Sequence, residues 1–341
     1  MIRDAIQKLV DGRDLTENET VNTMNEIMNG EATDAQIAGF ITALRLKKET
    51  IEEIIGAARV MREKATPVHT RHSLVVDTCS TGGTRLDSFN ISTTSAFVVA
   101  GAGVPVAKHG NRGVTRVSGS ANVLMALGVN IEISPEHVSR CIDKVGIGFL
   151  FAPMLHGAMK YAIGPRREIG IRTIFNTVAP LTNPARVKAQ VIGVYAPELT
   201  EQHANALKNF GSHHAFVVHG NDGLDEITTT TTTRISELVN GGVTTYTLDP
   251  TAMEIPKAHP NDILSGTPEQ NAERILRILN GEKGPKRNIV ALNAAAAIVA
   301  GGKAENLKQG YMLAEASIDS GKALEKLEGL RSMSNELENS N

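Results

Sequence analysis

The spacing of apolar residues changes near residue 73, and this change constrains the fold more than any other feature. Before it, three segments begin with a Thr followed three positions later by Glu or Gln, which is typical of a capped helix N-terminus. The pairs are Thr16 with Glu19, Thr33 with Gln36, and Thr50 with Glu53. Apolar residues at helical spacing follow each pair. Residues up to about 65 are therefore expected to form only helices, which must bury their apolar faces against each other or another chain.

Strand-like runs alternate with helical patterns after residue 73. The apolar run 74–76 leads into a glycine-containing turn at 80–84 and then into a helical pattern from 92. Further strand candidates are residues 104–107, 146–151, 190–195 and 215–218. This alternation is typical of an α/β sheet, in which ligands bind at the carboxyl ends of the strands. The Thr run 228–233 and the turn Asn240-Gly241 predict an antiparallel hairpin that ends at 248.

The composition excludes several classes of protein. The 341 residues, 41% hydrophobic and 21% charged, favour two packed domains, or one large α/β unit with an appendage, over global disorder. A net charge of -2, 4% aromatic residues and no Trp argue against nucleic-acid and membrane partners. Cys79 and Cys141 are too few for a disulfide framework, and the chain start lacks a hydrophobic signal core. A cytoplasmic protein is therefore expected.

Small and hydroxyl-bearing residues follow the first predicted strand. Residues 80–84, Ser-Thr-Gly-Gly-Thr, form a turn whose backbone amides can approach an anion. This turn matches neither a Walker loop nor a dinucleotide fingerprint, and a purely structural tight turn explains it equally well. The cluster 90–94 at the next helix start is first of all an N-cap, and secondly an anion site favoured by the helix dipole. Together the two motifs favour phosphate binding.

Charged residues follow later strands at the same predicted edge. Residues 108–112, Lys-His-Gly-Asn-Arg, and the helix start at Ser120 indicate a substrate with more than one phosphate, although a basic surface turn is the alternative. Asp225 and Glu226 suit Mg²⁺, which takes one or two carboxylates together with substrate phosphates; a solvated acidic turn is the alternative. The pattern of residues 165–176 predicts a helix. Arg166 on this helix could bind the carboxylate of a substrate through its guanidinium group.

The order of these motifs resembles that of the anthranilate phosphoribosyltransferase family over essentially the whole chain. The Lys-His-Gly-Asn-Arg motif alone is shared with pyrimidine nucleoside phosphorylases of the same fold. The resemblance implies a small all-helical domain, residues 1–71 and about 164–189, which carries the acceptor side and a homodimer contact. It implies a larger α/β domain, residues 72–163 and 190–341, with a central mostly parallel sheet flanked by helices.

The resemblance also implies roles for individual residues. Positions matching phosphoribosyl pyrophosphate contacts are Ser80, Gly83, Thr84, Ser88, Asn90, Ile91, Ser92, Thr93, Lys108, His109, Gly110, Asn111, Arg112 and Ser120. Positions matching Mg²⁺ contacts are Ser92, Asp225 and Glu226. Positions matching the anthranilate pocket are Ser80, Asn111, Arg166, His109, His156 and Pro180.

The implied reaction moves the 5-phosphoribosyl group to the amine of anthranilate and releases pyrophosphate, a step of tryptophan biosynthesis. It needs no protein nucleophile, and Lys108, Asp225 and Glu226 would stabilise the transition state.

Departures from the family pattern lie near the predicted site and leave alternatives open. They are Ser80, Thr84 and Arg85 in the first loop, Thr115 and Arg116 in the second, Asn122, and Ala179 before Pro180. A transferase for another aromatic acceptor, or a nucleoside phosphorylase, is distinguished by whether pyrophosphate is released and which amine is consumed. A non-catalytic nucleic-acid-binding relative is disfavoured because Asp225 and Glu226 persist and the net charge is -2.

Overall fold

The N-terminal part of the chain is helical, as predicted. The structure is a computed structural model that describes residues 1–82, 88–113 and 118–336. Its first four helices are α1 (Ile2–Val10), α2 (Glu17–Met28), α3 (Asp34–Lys47) and α4 (Ile51–Lys64). All three predicted capping boxes are confirmed at the starts of α2, α3 and α4. Each box satisfies two otherwise unpaired amides, and this fixes where the helix begins.

Strands and helices alternate in the rest of the described chain. The strands are β1 (Val76–Ser80), β2 (Val106–Gly110), β3 (Ile147–Phe151), β4 (Ala189–Gly193), β5 (His214–Gly220), β6 (Thr233–Val239) and β7 (Gly242–Leu248). The helices are α5 (Ile91–Gly101), α6 (Ser120–Ala126), α7 (Pro135–Val145), α8 (Ala152–Leu155), α9 (Lys160–Ile169), α10 (Ile174–Val178), α11 (Leu199–Asn209), α12 (Pro268–Leu279), α13 (Pro285–Ala300), α14 (Leu307–Asp319) and α15 (Lys322–Ser334).

Within the described ranges, the seven strands form one sheet in the order β3-β2-β1-β4-β5-β6-β7. The five strands from β3 to β5 in this order are parallel, and β6 and β7 are antiparallel, so the mostly parallel sheet is confirmed. The order reverses between β1 and β4. In open α/β sheets the crevice beyond the carboxyl ends of strands at such a reversal is the usual ligand site.

Two hydrophobic clusters cover the two faces of the sheet. Val191 and Phe216 belong to the larger cluster, whereas their neighbours Ile192 and Val217 belong to the second. Alternate residues of a strand point to opposite faces, so the two clusters lie on opposite sides. The second cluster also contains Phe40 from α3 and residues of α9 and α10, which contact α3 and α4. Helices that are distant in sequence therefore pack together on one face of the sheet.

Several predicted element bounds were wrong. β1 and β2 each start two residues later than predicted, and two other differences have a clear physical cause. The structure starts β6 at Thr233 and leaves 228–232 outside the strand, because the hydroxyls of Thr228 and Thr230 donate to the Asp222 carboxylate. Such side-chain bonds compete with a strand ladder. The helix predicted over 165–176 is interrupted, since α9 ends at Ile169, Gly170 after it is in the left-handed conformation, and α10 begins at Ile174.

Among the described residues, no helix is both long enough and apolar enough to cross a membrane.

A bidentate ion pair between α13 and α14 leads to a stability prediction. The Arg287 guanidinium donates to both oxygens of Asp319, at 2.6 and 2.8 Å, and holds the pKa of that carboxyl at about 2. The folded-state pKa lies below the ordinary value of 3.8, so the pair stabilises the fold above that pH and loses its effect as pH falls through 2.

We expect Asp319→Asn to lower the free energy of unfolding by about 1 kcal/mol at pH 7, a modest value because solvent screens the exposed carboxylate. Urea unfolding followed at several pH values measures the difference, which should shrink as the pH approaches 2. A difference that does not depend on pH would contradict this account.

Candidate active site at the carboxyl edge of the sheet

The predicted site residues lie where β1, β2, β4 and β5 end, at Ser80, Gly110, Gly193 and Gly220. We call this row the carboxyl edge. Parallel pairing brings its members together, since Ser80 is opposite Gly193 and Gly193 is opposite Val218, two residues before Gly220. The carboxyl edge therefore collects loops that are more than a hundred residues apart in sequence.

The loop that carries Asp225 and Glu226 follows β5, and we call it the acidic loop. It crosses directly over the end of β4. Asp225 is fully buried and Glu226 is 6% exposed. A side chain at Gly193 would overlap the Asp225 carbonyl oxygen, and it would also lie 3.1 Å from the Ser80 Cβ. The missing Cβ at Gly193 is what lets the acidic loop lie beside the end of β1.

We expect Gly193→Ala to displace the backbone of Asp225 and to lower kcat/KM for the phosphoribosyl donor that the resemblance implies by about tenfold to a hundredfold. The reason is that the obstructing atom is backbone and cannot rotate away. Gly242→Ala is the matched control, because its added Cβ would only make an ordinary contact 3.5 Å from the Val239 oxygen. Steady-state kinetics of both variants test this; equal activity would show that the loop tolerates the added methyl.

Lys108 is held at the carboxyl edge by a buried polar network. Its ammonium group donates to the Thr78 carbonyl, and the side chain is 3% exposed. The Asp77 carboxylate accepts from the His109 backbone N–H at 3.1 Å and from the Asn183 amide at 2.8 Å. Burial lowers the pKa of Lys108, and the nearby Asp77 carboxylate opposes that shift. Sequence reasoning missed the roles of Asp77 and Asn183; a carboxylate within an apolar strand was the available signal.

The start of α5 differs in detail from the predicted N-cap. Asn90 occupies the N-cap position, but its side chain makes no capping hydrogen bond. Its amide instead donates to the Ser118 carbonyl at 3.2 Å, and the Ser118 hydroxyl donates back to Asn90 Oδ1 at 3.1 Å. Asn90 thus ties the first turn of α5, with Ile91, Ser92 and Thr93, to the start of α6. Ser88 pairs with Leu264 in an isolated bridge beside this turn.

The basic turn after β2 is only partly directed to the site. Ser120 donates its hydroxyl to the Asn111 carbonyl at 3.2 Å, which places both residues beside Gly110. Arg112, in contrast, is half exposed and pairs with Glu132 at 2.8 Å while lying over the Phe151 ring. Its guanidinium is therefore already engaged on the surface of this structure.

Two buried histidines contact each other near the end of β2, and we call this pair the histidine wall. The Nε2 atoms of His109 and His156 are 3.2 Å apart, and both side chains are buried. Burial lowers the pKa of His109 well below its ordinary value and brings the pKa of His156 to about 4. Both rings are therefore neutral at pH 7, and the Nε2–H of one ring donates a hydrogen bond to Nε2 of the other. The turn at Ala179 and Pro180 closes this wall, since the His109 ring also interacts with the Ala179 backbone.

Arg166 extends from α9, with its guanidinium carbon 5.1 Å from the centroid of the Phe175 ring. Burial lowers the pKa of Arg166. Within the described ranges, no carboxylate lies within ion-pair distance of its guanidinium. A partly buried cation with no counter-charge among the described residues is suited to an anionic ligand.

Several predicted positions lie outside the described residues. These are Gly83, Thr84, Arg85, Thr115 and Arg116.

The donor set at the carboxyl edge fits a metal held jointly with a substrate. In the part of the chain that the structure describes, no group of three or more His, Cys, Asp or Glu side chains forms an all-protein metal site. Mg²⁺ commonly takes one or two carboxylates and completes its octahedron with waters and phosphate oxygens. The adjacent, buried Asp225 and Glu226 supply that smaller set.

Known proteins resemble this chain along nearly its whole length. Residues 3–65 match the helical bundle domain of a glycosyl transferase family, and residues 72–324 match its a/b domain. The anthranilate phosphoribosyltransferase of Acetivibrio thermocellus is 56% identical over 96% of this chain and 95% of its own length. That of Desulfosudis oleivorans is 54% identical, over 97% of this chain and 98% of its own.

Solved structures show the same fold. The crystal structure of anthranilate phosphoribosyltransferase from Thermus thermophilus has a TM-score of 0.91 at 40% identity, covering 97% of this chain and 99% of its own. The enzyme from Saccharomyces cerevisiae, in complex with PRPP and Mg, has a TM-score of 0.91 at 26% identity and covers 98% of each chain.

Proposed function

This chain belongs to the anthranilate phosphoribosyltransferase family, and we propose that the carboxyl edge is its active site. The enzyme transfers the 5-phosphoribosyl group of phosphoribosyl pyrophosphate to the amine of anthranilate and releases pyrophosphate, a step of tryptophan biosynthesis. One observation supports the assignment of the active site to the carboxyl edge. The buried pair Asp225 and Glu226 crosses the end of β4, at the strand-order reversal next to the buried Lys108.

Phosphoribosyl pyrophosphate binds along the first turns of α5 and α6 in this proposal. The N-terminal amides of α5 and the hydroxyls of Ser92 and Thr93 face phosphate oxygens, because the positive end of a helix dipole favours anions. Lys108 and Ser120 approach the same group from the β2 side. The remaining contacts are Ser80, Gly83, Thr84, Ser88, Asn90, Ile91, His109, Gly110, Asn111 and Arg112. For Arg112 to reach a phosphate, its pair with Glu132 must open.

Asp225 and Glu226, with Ser92, would hold Mg²⁺ once the pyrophosphate is bound. Bound Mg²⁺ supplies positive charge at the phosphate oxygens that the protein groups alone do not match. The yeast relative solved with PRPP and Mg supports this use of the metal. Both carboxylates are buried in this chain.

Anthranilate binds on the opposite side of the crevice. Arg166 holds its carboxylate, with Asn111 and Ser80 as further polar contacts. His109, His156 and Pro180 form the wall against its ring. The neutral histidine pair suits this role, because an uncharged wall does not attract a phosphate into the acceptor pocket.

Transfer needs no protein nucleophile. As the bond from ribose C1 to pyrophosphate lengthens, positive charge develops on C1 and negative charge on the leaving group. Lys108 and the amides at the start of α5 stabilise that negative charge. The amine of anthranilate, aimed by Arg166 and Asn111, forms a bond to C1 as the C1–O bond breaks and pyrophosphate leaves with both electrons. The amine then gives its proton to the departing pyrophosphate or to solvent. Most of the rate acceleration comes from holding the two substrates in line.

The assembly and domain boundaries belong to the same proposal. Residues 1–71 and 164–189 form one discontinuous helical domain, and residues 72–163 with 190–341 form the α/β domain. The contacts of α9 and α10 with α3 and α4 support this division. The protein acts as a cytoplasmic homodimer that pairs through its helical domain, with no nucleic-acid or membrane partner.

Loss of anthranilate fluorescence tests the activity. With protein, phosphoribosyl pyrophosphate and Mg²⁺ present, the fluorescence should fall, and omitting any one of the three should prevent the fall. An unchanged signal at generous protein concentration would contradict anthranilate as the acceptor. The same assay with other aromatic amines, scored by pyrophosphate release, would then identify the acceptor.

A further inference from the structure

Asn293 on α13 forms two hydrogen bonds with the backbone of Ile227, the residue immediately after the acidic pair. We call this pair of hydrogen bonds the Asn293 clamp. Asn293 Oδ1 accepts the Ile227 N–H at 2.9 Å, and its Nδ2 donates to the Ile227 carbonyl at 2.8 Å. The same Nδ2 donates to the Ile289 carbonyl one helical turn back, at 2.9 Å. Both polar groups of Ile227 are thus held by one side chain, and Ile227 directly follows Glu226.

Asn293 is unusual in its surroundings. It is 2% exposed, and it is the only polar residue between Ile289 and Ala300, a stretch rich in Ala and Val. Burying a carboxamide is costly unless its donors and acceptor are satisfied. An apolar residue would fill this position of a core helix more simply. The hydrogen bonds to Ile227 are therefore the feature that distinguishes Asn293 from a packing residue.

The other end of the acidic loop is held as well. The Gly220 N–H donates to the Leu224 carbonyl at 2.8 Å, and the Leu224 N–H donates to Asp222 Oδ1 at 3.1 Å. Only Asp225 and Glu226 lie between these contacts and the Asn293 clamp at Ile227. The direction in which both carboxylates leave the backbone is consequently set from both sides.

We propose that Asn293 is a positioning residue that, through Ile227, aims Asp225 and Glu226 at the metal and the pyrophosphate. This inference rests on the proposed function of the carboxyl edge. Asn293 acts from the core of the α/β domain and touches neither substrate. Outer contacts of this kind, one step removed from a metal ligand, commonly change metal affinity or activity by about tenfold to a hundredfold.

Two substitutions remove the clamp in different ways. Asn293→Ala deletes all three hydrogen bonds and places a strong helix former in an Ala-rich helix, so we expect it to fold. Asn293→Leu deletes the same hydrogen bonds but fills a similar volume. It replaces the alanine variant in the test if that variant is too unstable. For either variant we expect the Mg²⁺ concentration at half-maximal rate and the KM for phosphoribosyl pyrophosphate to rise by about tenfold. The Kd for phosphoribosyl pyrophosphate, measured by calorimetry with Mg²⁺ present and anthranilate absent, should rise by a similar factor. The KM for anthranilate should stay within about twofold, because Arg166 and the histidine wall are not connected to Asn293.

Ser317→Ala is the matched control. The Ser317 hydroxyl is buried and donates to the Val98 carbonyl at 2.8 Å, in the same hydrophobic core but on α14. Its loss destabilises the core without touching the acidic loop. We expect this variant to lower the unfolding temperature and to leave the Mg²⁺ and substrate dependence unchanged.

The outcomes separate this inference from the proposed function. If the wild-type protein consumes no anthranilate, the proposed function fails, whatever Asn293 does. If the wild type is active and the Asn293 variants show the Mg²⁺ and KM behaviour of Ser317→Ala, the inference is overturned and Asn293 is only structural. A selective rise in the Mg²⁺ requirement, partly reversed by excess Mg²⁺, supports it.

Discussion

The double variant Asp225→Asn, Glu226→Gln is expected to lose about a thousandfold or more in kcat/KM for phosphoribosyl pyrophosphate. The substitutions keep the size of both side chains and remove only their charge. Without that charge the carboxyl edge cannot hold a divalent cation against the leaving pyrophosphate. Steady-state kinetics at several Mg²⁺ concentrations measure the loss, and excess Mg²⁺ should not restore the rate.

Glu237→Gln is the control for this loss. Glu237 lies on β6, where it pairs with His214 at 2.7 Å and accepts from the Tyr246 hydroxyl at 2.9 Å. It is a carboxylate of the same sheet with no proposed substrate contact. We expect this variant to retain wild-type kinetics. Retained Mg²⁺-dependent activity in the double variant, with both proteins folded by circular dichroism, would refute the assigned metal site.

Arg166→Met is expected to lower kcat/KM for anthranilate by about tenfold to a hundredfold, since a hydrogen-bonded ion pair contributes about 1.5–3 kcal/mol and 1.4 kcal/mol is a factor of ten. The KM for phosphoribosyl pyrophosphate should change little. Methionine keeps much of the apolar stem beside Phe175, so the loss should reflect the missing charge.

Arg167→Met controls for the loss of a charge on the same helix, because Arg167 is exposed next to Arg166. A second readout is the ratio of rates with anthranilate and its neutral amide, 2-aminobenzamide. The wild type and Arg167→Met should prefer the carboxylate, whereas Arg166→Met should lose that preference. An unchanged preference in Arg166→Met would show that another group binds the carboxylate.

Features that depend on neighbouring residues could be predicted from the sequence. Each of the three capping boxes spans only four consecutive residues, and each begins a helix. Asn240 and Gly241 both adopt positive φ, at 47° and 84°, as the predicted two-residue hairpin turn requires. The edge at which strands end was also predictable, because parallel strands bring their carboxyl ends together.

Features that depend on distant partners could not be predicted. Asn90 looked like an N-cap, but Ser118, 28 residues away, takes its side chain. The ion pair of Arg112 with Glu132, 20 residues away, was likewise not visible in the local pattern. The packing of Asp225 over Gly193 joins separate loops, and only the folded sheet makes it visible. A local pattern shows what a side chain can bind, whereas the fold decides which partner reaches it.

Counting products against a limiting amount of phosphoribosyl pyrophosphate tests the central claim most directly. With excess anthranilate and Mg²⁺, we predict that each phosphoribosyl pyrophosphate consumed yields one pyrophosphate and removes one anthranilate. Two results would contradict the claim that the carboxyl edge joins these two substrates. One is release of pyrophosphate without loss of anthranilate. The other is anthranilate that persists until another ribose donor is added.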